Sequence, residues 1–253
     1  MNKMTVSPLI SIITPTFNDL SNLKNCIESV KYQDYEFKEH IIIDGGSIDG
    51  TVEYLLEESK LSPDLVWISE KDHGIYDAMN KGISLSKGDF LIFLGADDVF
   101  YSNNTIKNIF SVSEILHYDF IYGRSIFKNS KLEYGGKFTT ELLKSKNICH
   151  QSIFYKRSVF DILGFYGSRF KISEDYLFNI KCFQSDNISK LYIDKVISIF
   201  NDTGISSTQN DEFIRYRLKY FQIKSILDYC KQFYFFYRPK WFKPSRFFSR
   251  STK

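Results

Sequence analysis

The first hundred residues alternate short β-rich runs with helical patterns, and every run ends on polar or acidic residues. LISIITP closes at Pro15, HIIIDG reaches Asp44, DLVWISE reaches Glu70 and DFLIFLGADD reaches Asp98. Apolar spacing predicts helices between them: 20–32 with Leu23, Ile27 and Val30 inward, 51–58 with Val52, Leu55 and Leu56, and 75–85 with Ile75, Met79, Ile83 and Leu85. Strand and helix in that order predict an α/β fold, a mostly parallel central sheet with helices on both faces. Sheets of this kind bind ligands at the carboxyl ends of their strands. Four polar clusters fall there: Thr14 and Pro15; Asp44 with Gly45 and Gly46; Glu70 with Asp72 and His73; and Asp97 with Asp98.

Beyond residue 103 the pattern loosens. It predicts a helix over 105–116, a hairpin turning at 128–131, a strand in HQSIFYKR, helices in SVFDILG and EDYLFNIKCF, a strand in LYIDKVISIF and a longer helix over 211–229. No repeat or linker interrupts the chain, so residues 1–230 are expected to form one domain, and 253 residues suffice for its core. Cys26, Cys149, Cys182 and Cys230 are too dispersed for a zinc site or a disulfide framework, which predicts reduced thiols in the cytoplasm. The N-terminal apolar run is too short for an export signal, and no run approaches the ~18 apolar residues of a membrane span.

Asp97 and Asp98 are adjacent carboxylates at a strand end. Such groups repel and resist burial unless a cation lies between them. A divalent metal, Mn²⁺ or Mg²⁺, would satisfy them, because these ions take oxygen ligands and share their shell with substrate phosphates. The alternative is a solvated turn in which one Asp caps the segment VFYSNNT.

Several motifs in order narrow the choice: TPTFN (14–18), IIIDGGSIDGT (41–51), SEKDHGIYDAMNKGI (69–83), GDFLIFLGADD (88–98), CHQSIFY (149–155) and SEDYLF (173–178). Over residues 9–210 the chain resembles the family 2 glycosyltransferases of the Rossmann-like GT-A fold, in particular bacterial enzymes of exopolysaccharide, colanic-acid-type and O-antigen synthesis. The resemblance implies an inverting, metal-dependent transfer from a nucleotide-sugar donor, UDP-linked, to a lipid-linked or growing polysaccharide acceptor. It assigns Thr14, Pro15, Asp44, Asp72 and Asp97 to the nucleotide, Asp97 and Asp98 to the metal, and Asp175 to the catalytic base. Glu174, His150 and Gln151 would touch acceptor or donor, and the segment 201–208 would close over the donor. The family often has an acid where this chain has Gly95, which leaves open which Asp meets the metal. Bland roles stand beside these: Asp44 as a turn residue, and Ser173, Glu174 and Asp175 as a helix start. Asn80 and Lys81 are read as holding their helix.

The last 23 residues hold seven Lys or Arg, nine aromatics and no acid, although the whole chain carries only +3. This basic-aromatic tail, 231–253, suits an anionic membrane interface. Together with the resemblance it implies peripheral attachment to the cytoplasmic face of the cell membrane and an undecaprenyl-diphosphate-linked saccharide as acceptor. Nucleic acid is not expected as a partner, because no nucleic-acid-binding motif accompanies the tail; packing back on the domain is the other reading. Nucleotidyl transfer to a sugar phosphate would want a Gly- and Lys-rich phosphate loop, which TPTFNDLSN is not. A non-catalytic sugar-nucleotide-binding protein on the same fold is the remaining alternative.

Overall fold

The computed structural model describes residues 7–202 and 212–221. Four strands, β1 (Ile10–Thr16), β2 (Lys38–Asp44), β3 (Leu65–Ser69) and β4 (Phe90–Phe93), pair in parallel in the order β3-β2-β1-β4. The order turns back at β1 and β4, so the two strand ends beside that switch point, at Thr16 and Phe93, open the crevice where ligands bind in open α/β sheets. The second half of the chain extends the same sheet through β8 (Ile153–Lys156), β6 (Phe120–Phe127), β9 (Lys190–Phe200) and β5 (Val99–Phe100). A short β7 (Glu133–Tyr134) completes the expected hairpin with β6.

Direction decides what reaches the crevice. β8 runs antiparallel to β4, so its beginning, not its end, lies beside the end of β4. β6 is antiparallel to β8 and parallel to β9, which brings the end of β9 to the same edge. β5 follows Asp98 directly and pairs with β9 through Val99 and Ile199.

Helices cover both faces. α1 (Leu20–Lys31), α2 (Thr51–Leu61) and α4 (Thr105–Phe110) pack on one, through Cys26, Val30, Leu55 and Ile106. α3 (Ile75–Leu85), α5 (Ser158–Leu163) and α6 (Glu174–Gln184) pack on the other, through Met79, Phe160 and Phe178. The last described helix, α7 (Phe213–Tyr220), adds Phe213 to that second core.

Four expectations need correction. α3 is rotated relative to the predicted stripe: Tyr76, Ala78, Met79, Gly82 and Ile83 are buried, while Ile75 and Leu85 are exposed. Gly82 is the cause, because it lets α3 approach β1 so closely that an added Cβ would overlap Ile13 Cγ2. On α2, Leu55 is buried but Leu56 is exposed. The strand predicted to reach Asp98 ends at Phe93, and the 105–116 helix divides into α4 and a 3-10 helix, Ser113–His117. The predicted 211–229 helix is seen as α7, and the remainder, Cys230 and the 231–253 tail lie outside the described residues.

Candidate active site

At the end of β4 the chain turns on itself. The Asp98 N–H donates to the Gly95 carbonyl at 3.0 Å, and the Gly95 N–H donates to Asp98 Oδ2 at 2.9 Å. The Asp98 carboxylate is therefore folded inward, with only 2% of the residue exposed. Its other donors come from far along the chain: Gln151 Nε2 at 2.9 Å on Oδ2 and the Asn201 N–H at 3.1 Å on Oδ1. Asp97 is half-buried and accepts the Asn201 side-chain amide at 2.9 Å. The two carboxylates converge above Gly95, where an added Cβ would lie 2.8 Å from Asp98 Oδ2 and 3.0 Å from Asp97 Oδ1. Glycine at 95 thus makes the space that the pair occupies. Burial, with the neighbouring Asp97 charge, pushes Asp98 up to about 6. Uncompensated, this pair is electrostatically poor, which is the condition a divalent cation relieves.

Asp175 lies in the first turn of α6. Its Oδ1 accepts the Tyr76 hydroxyl at 2.7 Å and its Oδ2 the Asn147 amide at 2.9 Å, with His150 Nδ1 3.5 Å away. Burial works to raise its pKa, but the adjacent His150, Tyr76 and Asn147 hold it below the ordinary carboxylate value. His150 shows the reverse balance: burial would lower it, and the Asp175 carboxylate, with Asp98 and Asp97 farther off, raises it. Beneath them Asn179, fully buried, donates to Asn147 Oδ1 at 2.9 Å and to the Ile148 carbonyl at 3.1 Å, and accepts the Tyr155 hydroxyl at 2.8 Å. Glu174 does not join this hydrogen-bonded cluster. It turns back to accept the Phe170 N–H at 2.8 Å and covers Gly167, so it anchors the 167–170 loop rather than a substrate.

The nucleotide side differs from expectation as well. The Thr14 hydroxyl is buried against His40 Nε2 at 2.9 Å and Cys26 Sγ at 3.6 Å, and Pro15 is buried in β1. Asp44 is buried, and its carboxylate is engaged by the Gly46 and Ser47 amides and by the hydroxyls of Ser47 and Ser69. These bonds build the loop after β2, and the side chains of Thr14 and Pro15 lie inside the sheet. What faces solvent is Phe17, 62% exposed, and Asp72, whose Oδ2 lies 2.7 Å from where a Gly45 Cβ would stand, with the Phe17 ring edge 3.2 Å from the same point. Asp72 Oδ1 accepts the Gly74 N–H at 2.9 Å, which fixes its direction.

The edge therefore unites Asp72, Asp97, Asp98, Gln151, His150 and Asp175. Sequence reasoning passed over Phe17, Tyr76, Asn147 and Asn179. The aromatic directly after a strand in TPTFN was a usable signal for Phe17. Nothing local marks Asn147, which meets Asp175 across 28 positions.

The Glycosyl transferase family 2 model matches residues 11–177, most of the chain and all of the edge residues just described. The chain is a family 2 glycosyltransferase. It is 36% identical over 214 residues to a PGL/p-HBAD biosynthesis glycosyltransferase of Mycobacterium bovis, covering 83% of this chain and 84% of that one. An uncharacterized glycosyltransferase of Mycobacterium tuberculosis is 32% identical over 221 residues, covering 81% and 79%. Among solved structures, S. aureus TarS 1-349 in complex with UDP-GlcNAc superposes with a TM-score of 0.69 at 17% identity, over 88% of this chain and 69% of that one. The mannosyltransferase PcManGT from Pyrobaculum calidifontis, in complex with GDP-Man and Mn²⁺, gives 0.65 at 14%, over 90% and 74%. The fold of this glycosyltransferase is accordingly GT-A, and inversion at the anomeric carbon is typical of its family. No helix among its described residues is long and apolar enough to cross a membrane.

Proposed function

We propose that this enzyme moves a sugar from a UDP-linked donor to a hydroxyl of a lipid-linked or growing saccharide, inverting the anomeric centre. The observation that carries this reading is the buried carboxylate Asp175, aligned by three side chains on the same sheet edge as the convergent pair Asp97 and Asp98. Phe17 offers a face for the nucleobase and Asp72 an acceptor for a base N–H, and these replace Thr14 and Asp44 as side-chain contacts. Asp97 and Asp98 would hold Mn²⁺ or Mg²⁺, Asp97 from its half-exposed side and Asp98 from the buried one, an ion whose remaining shell diphosphate and water oxygens would fill. Such an ion supplies charge neutralisation for the departing diphosphate.

In the reaction, Asp175 takes the proton of the acceptor hydroxyl as that oxygen bonds to the anomeric carbon. The bond from that carbon to the diphosphate oxygen breaks, and the nucleoside diphosphate leaves with the electron pair. Asn147 and Tyr76 donate to the Asp175 carboxylate and fix its direction, while Gln151 and Asn201 hold the acidic pair. An exopolysaccharide or O-antigen pathway, an undecaprenyl-diphosphate-linked acceptor and attachment to the cytoplasmic membrane face belong to the same proposal. The membrane reading rests on the composition of residues 231–253.

Nucleoside diphosphate release from UDP-, GDP- and dTDP-sugars, with and without Mn²⁺, tests it. Metal-dependent release from a UDP-sugar, lost in Asp97→Ala, is expected. Release that is indifferent to chelator and to that substitution would refute the metal assignment, and preference for GDP-sugars would refute the uridine assignment.

A further inference from the structure

The segment that precedes β8 touches both halves of the site. Asn147 donates to Asp175 Oδ2 at 2.9 Å and His150 lies 3.5 Å from the same oxygen, while Gln151, the next residue, donates to Asp98 Oδ2 at 2.9 Å. His150 and Gln151 belong to one tight 3-10 turn, closed by the Ser152 N–H and hydroxyl on the Cys149 carbonyl, both at 2.9 Å. The turn is rooted from two sides. Ile148 is buried and its carbonyl accepts Asn179, and β8 starts immediately after the turn, between β4 and β6. Adjacent residues on so short a turn have little freedom to move independently. The separation of two carboxylates 77 positions apart in sequence is thus spanned by five consecutive residues.

We propose that Asn147–Gln151 is a positioning clamp that sets the distance between the diphosphate-side carboxylate Asp98 and the base Asp175; this rests on the glycosyltransferase site proposed above. Displacement requires the acceptor oxygen, the anomeric carbon and the leaving oxygen to be in line, so small errors in the spacing of the two carboxylates reduce the rate. Gln151 is the informative member, because it touches the acidic pair and not the base. Losing its bond releases Asp98 from the turn, so that carboxylate's position is no longer tied to the one His150 and Asn147 give Asp175. Gln151 is then a positioning residue for both ends of the site.

The test compares the full-length wild type with Gln151→Ala, the near-isosteric and uncharged Gln151→Met, His150→Ala and the double variant Gln151→Ala/His150→Ala. Mn²⁺ and UDP binding are measured by calorimetry, kcat at saturating Mn²⁺ and donor, and folding by melting temperature. Gln151→Ala is expected to weaken Mn²⁺ binding about 10-fold, in the range known for groups that orient metal ligands. It is also expected to lower kcat at saturation by about 10-fold. Gln151→Met should do the same although it fills nearly the same space without a charge, since it removes the donor rather than the packing. His150→Ala should lower kcat while leaving Mn²⁺ affinity within about twofold, and adding Gln151→Ala to it should lower kcat little further. Gln151 variants that bind Mn²⁺ like the wild type, keep full kcat at saturation, or combine with His150→Ala multiplicatively would overturn the clamp. A folded wild type that binds neither UDP nor Mn²⁺ would instead overturn the site reading beneath it, and the clamp with it.

Discussion

Replacing Asp175 by asparagine removes a charge and a proton acceptor while keeping the shape. The structure indicates that the new amide is accommodated. Its oxygen can accept Asn147, as Asp175 Oδ2 does at 2.9 Å, and its NH₂ can face Tyr76, whose hydroxyl oxygen accepts as readily as it donates. Exchange of one hydrogen-bonded polar group for another of the same size costs less than about 1.5 kcal/mol, the scale of a net hydrogen bond, and the lost attraction to His150 adds to it wherever that imidazole is protonated. The kinetic cost is much larger. General-base catalysis contributes roughly 10²- to 10⁴-fold, which at 1.36 kcal/mol per decade is about 3–5 kcal/mol of barrier. Asp175→Asn is therefore expected to bind UDP and Mn²⁺ like the wild type and to melt within a few degrees of it. Its kcat for nucleoside diphosphate release should be lower by at least about 100-fold. Turnover within a few-fold of wild type, with binding intact, would remove Asp175 as the base. Loss of donor binding together with turnover would show instead that the carboxylate supports the nucleotide.

Three further perturbations probe other parts of the argument. Phe17→Ala should raise the donor KM with little change in kcat, at a cost of about 1–3 kcal/mol in nucleotide affinity measured calorimetrically, the range for aromatic-base stacking. Gly82→Ala should destabilise by about 1–3 kcal/mol, because the new methyl overlaps Ile13 in a closed core, and the melting temperature reports it. His40 is buried and held neutral, its pKa lowered by desolvation to about 3 from an ordinary value near 6.5. The unfolded chain takes up that proton first, so the contribution of neutral His40 is complete above about pH 6.5 and is lost as pH falls toward 3. It should cost about 2 kcal/mol by pH 5. Urea unfolding at pH 7 and pH 5 checks the sign, and His40→Gln should flatten that portion of the slope.

Local sequence was sufficient for what depends on near neighbours. The apolar periods of 10–16, 20–31 and 38–44 hold their strand and helix assignments because burial on one face and chain direction are local properties. The polar and acidic residues that close the strand runs lie together at one edge of the sheet, as their positions after β1, β2, β3 and β4 predicted. Local pattern failed where an element is placed by another: α3 turned away from its predicted stripe because Gly82 admits Ile13, a packing event that no helical spacing encodes.

The same division runs through the site. The places of Asp72, Asp97 and Asp98 on the sheet edge were legible because carboxylates at strand ends are conspicuous, whereas Asp175 was singled out by the resemblance carried in SEDYLF. Their division of labour was not legible, since it depends on which oxygens are already engaged. Asp44 has the same residue type and strand-end position as the others, yet it is fully buried and four neighbouring groups engage its carboxylate; Asp72 is half-buried beside Phe17, with the Gly74 N–H on one oxygen. Sequence by itself determined the alternating α/β order and the acidic chemistry of one edge, because both are written in residues close together in the chain. Only the tertiary structure decided that antiparallel β8 brings Gln151 to Asp98 and His150 to Asp175, because that juxtaposition depends on strand direction and long-range pairing rather than on any local preference.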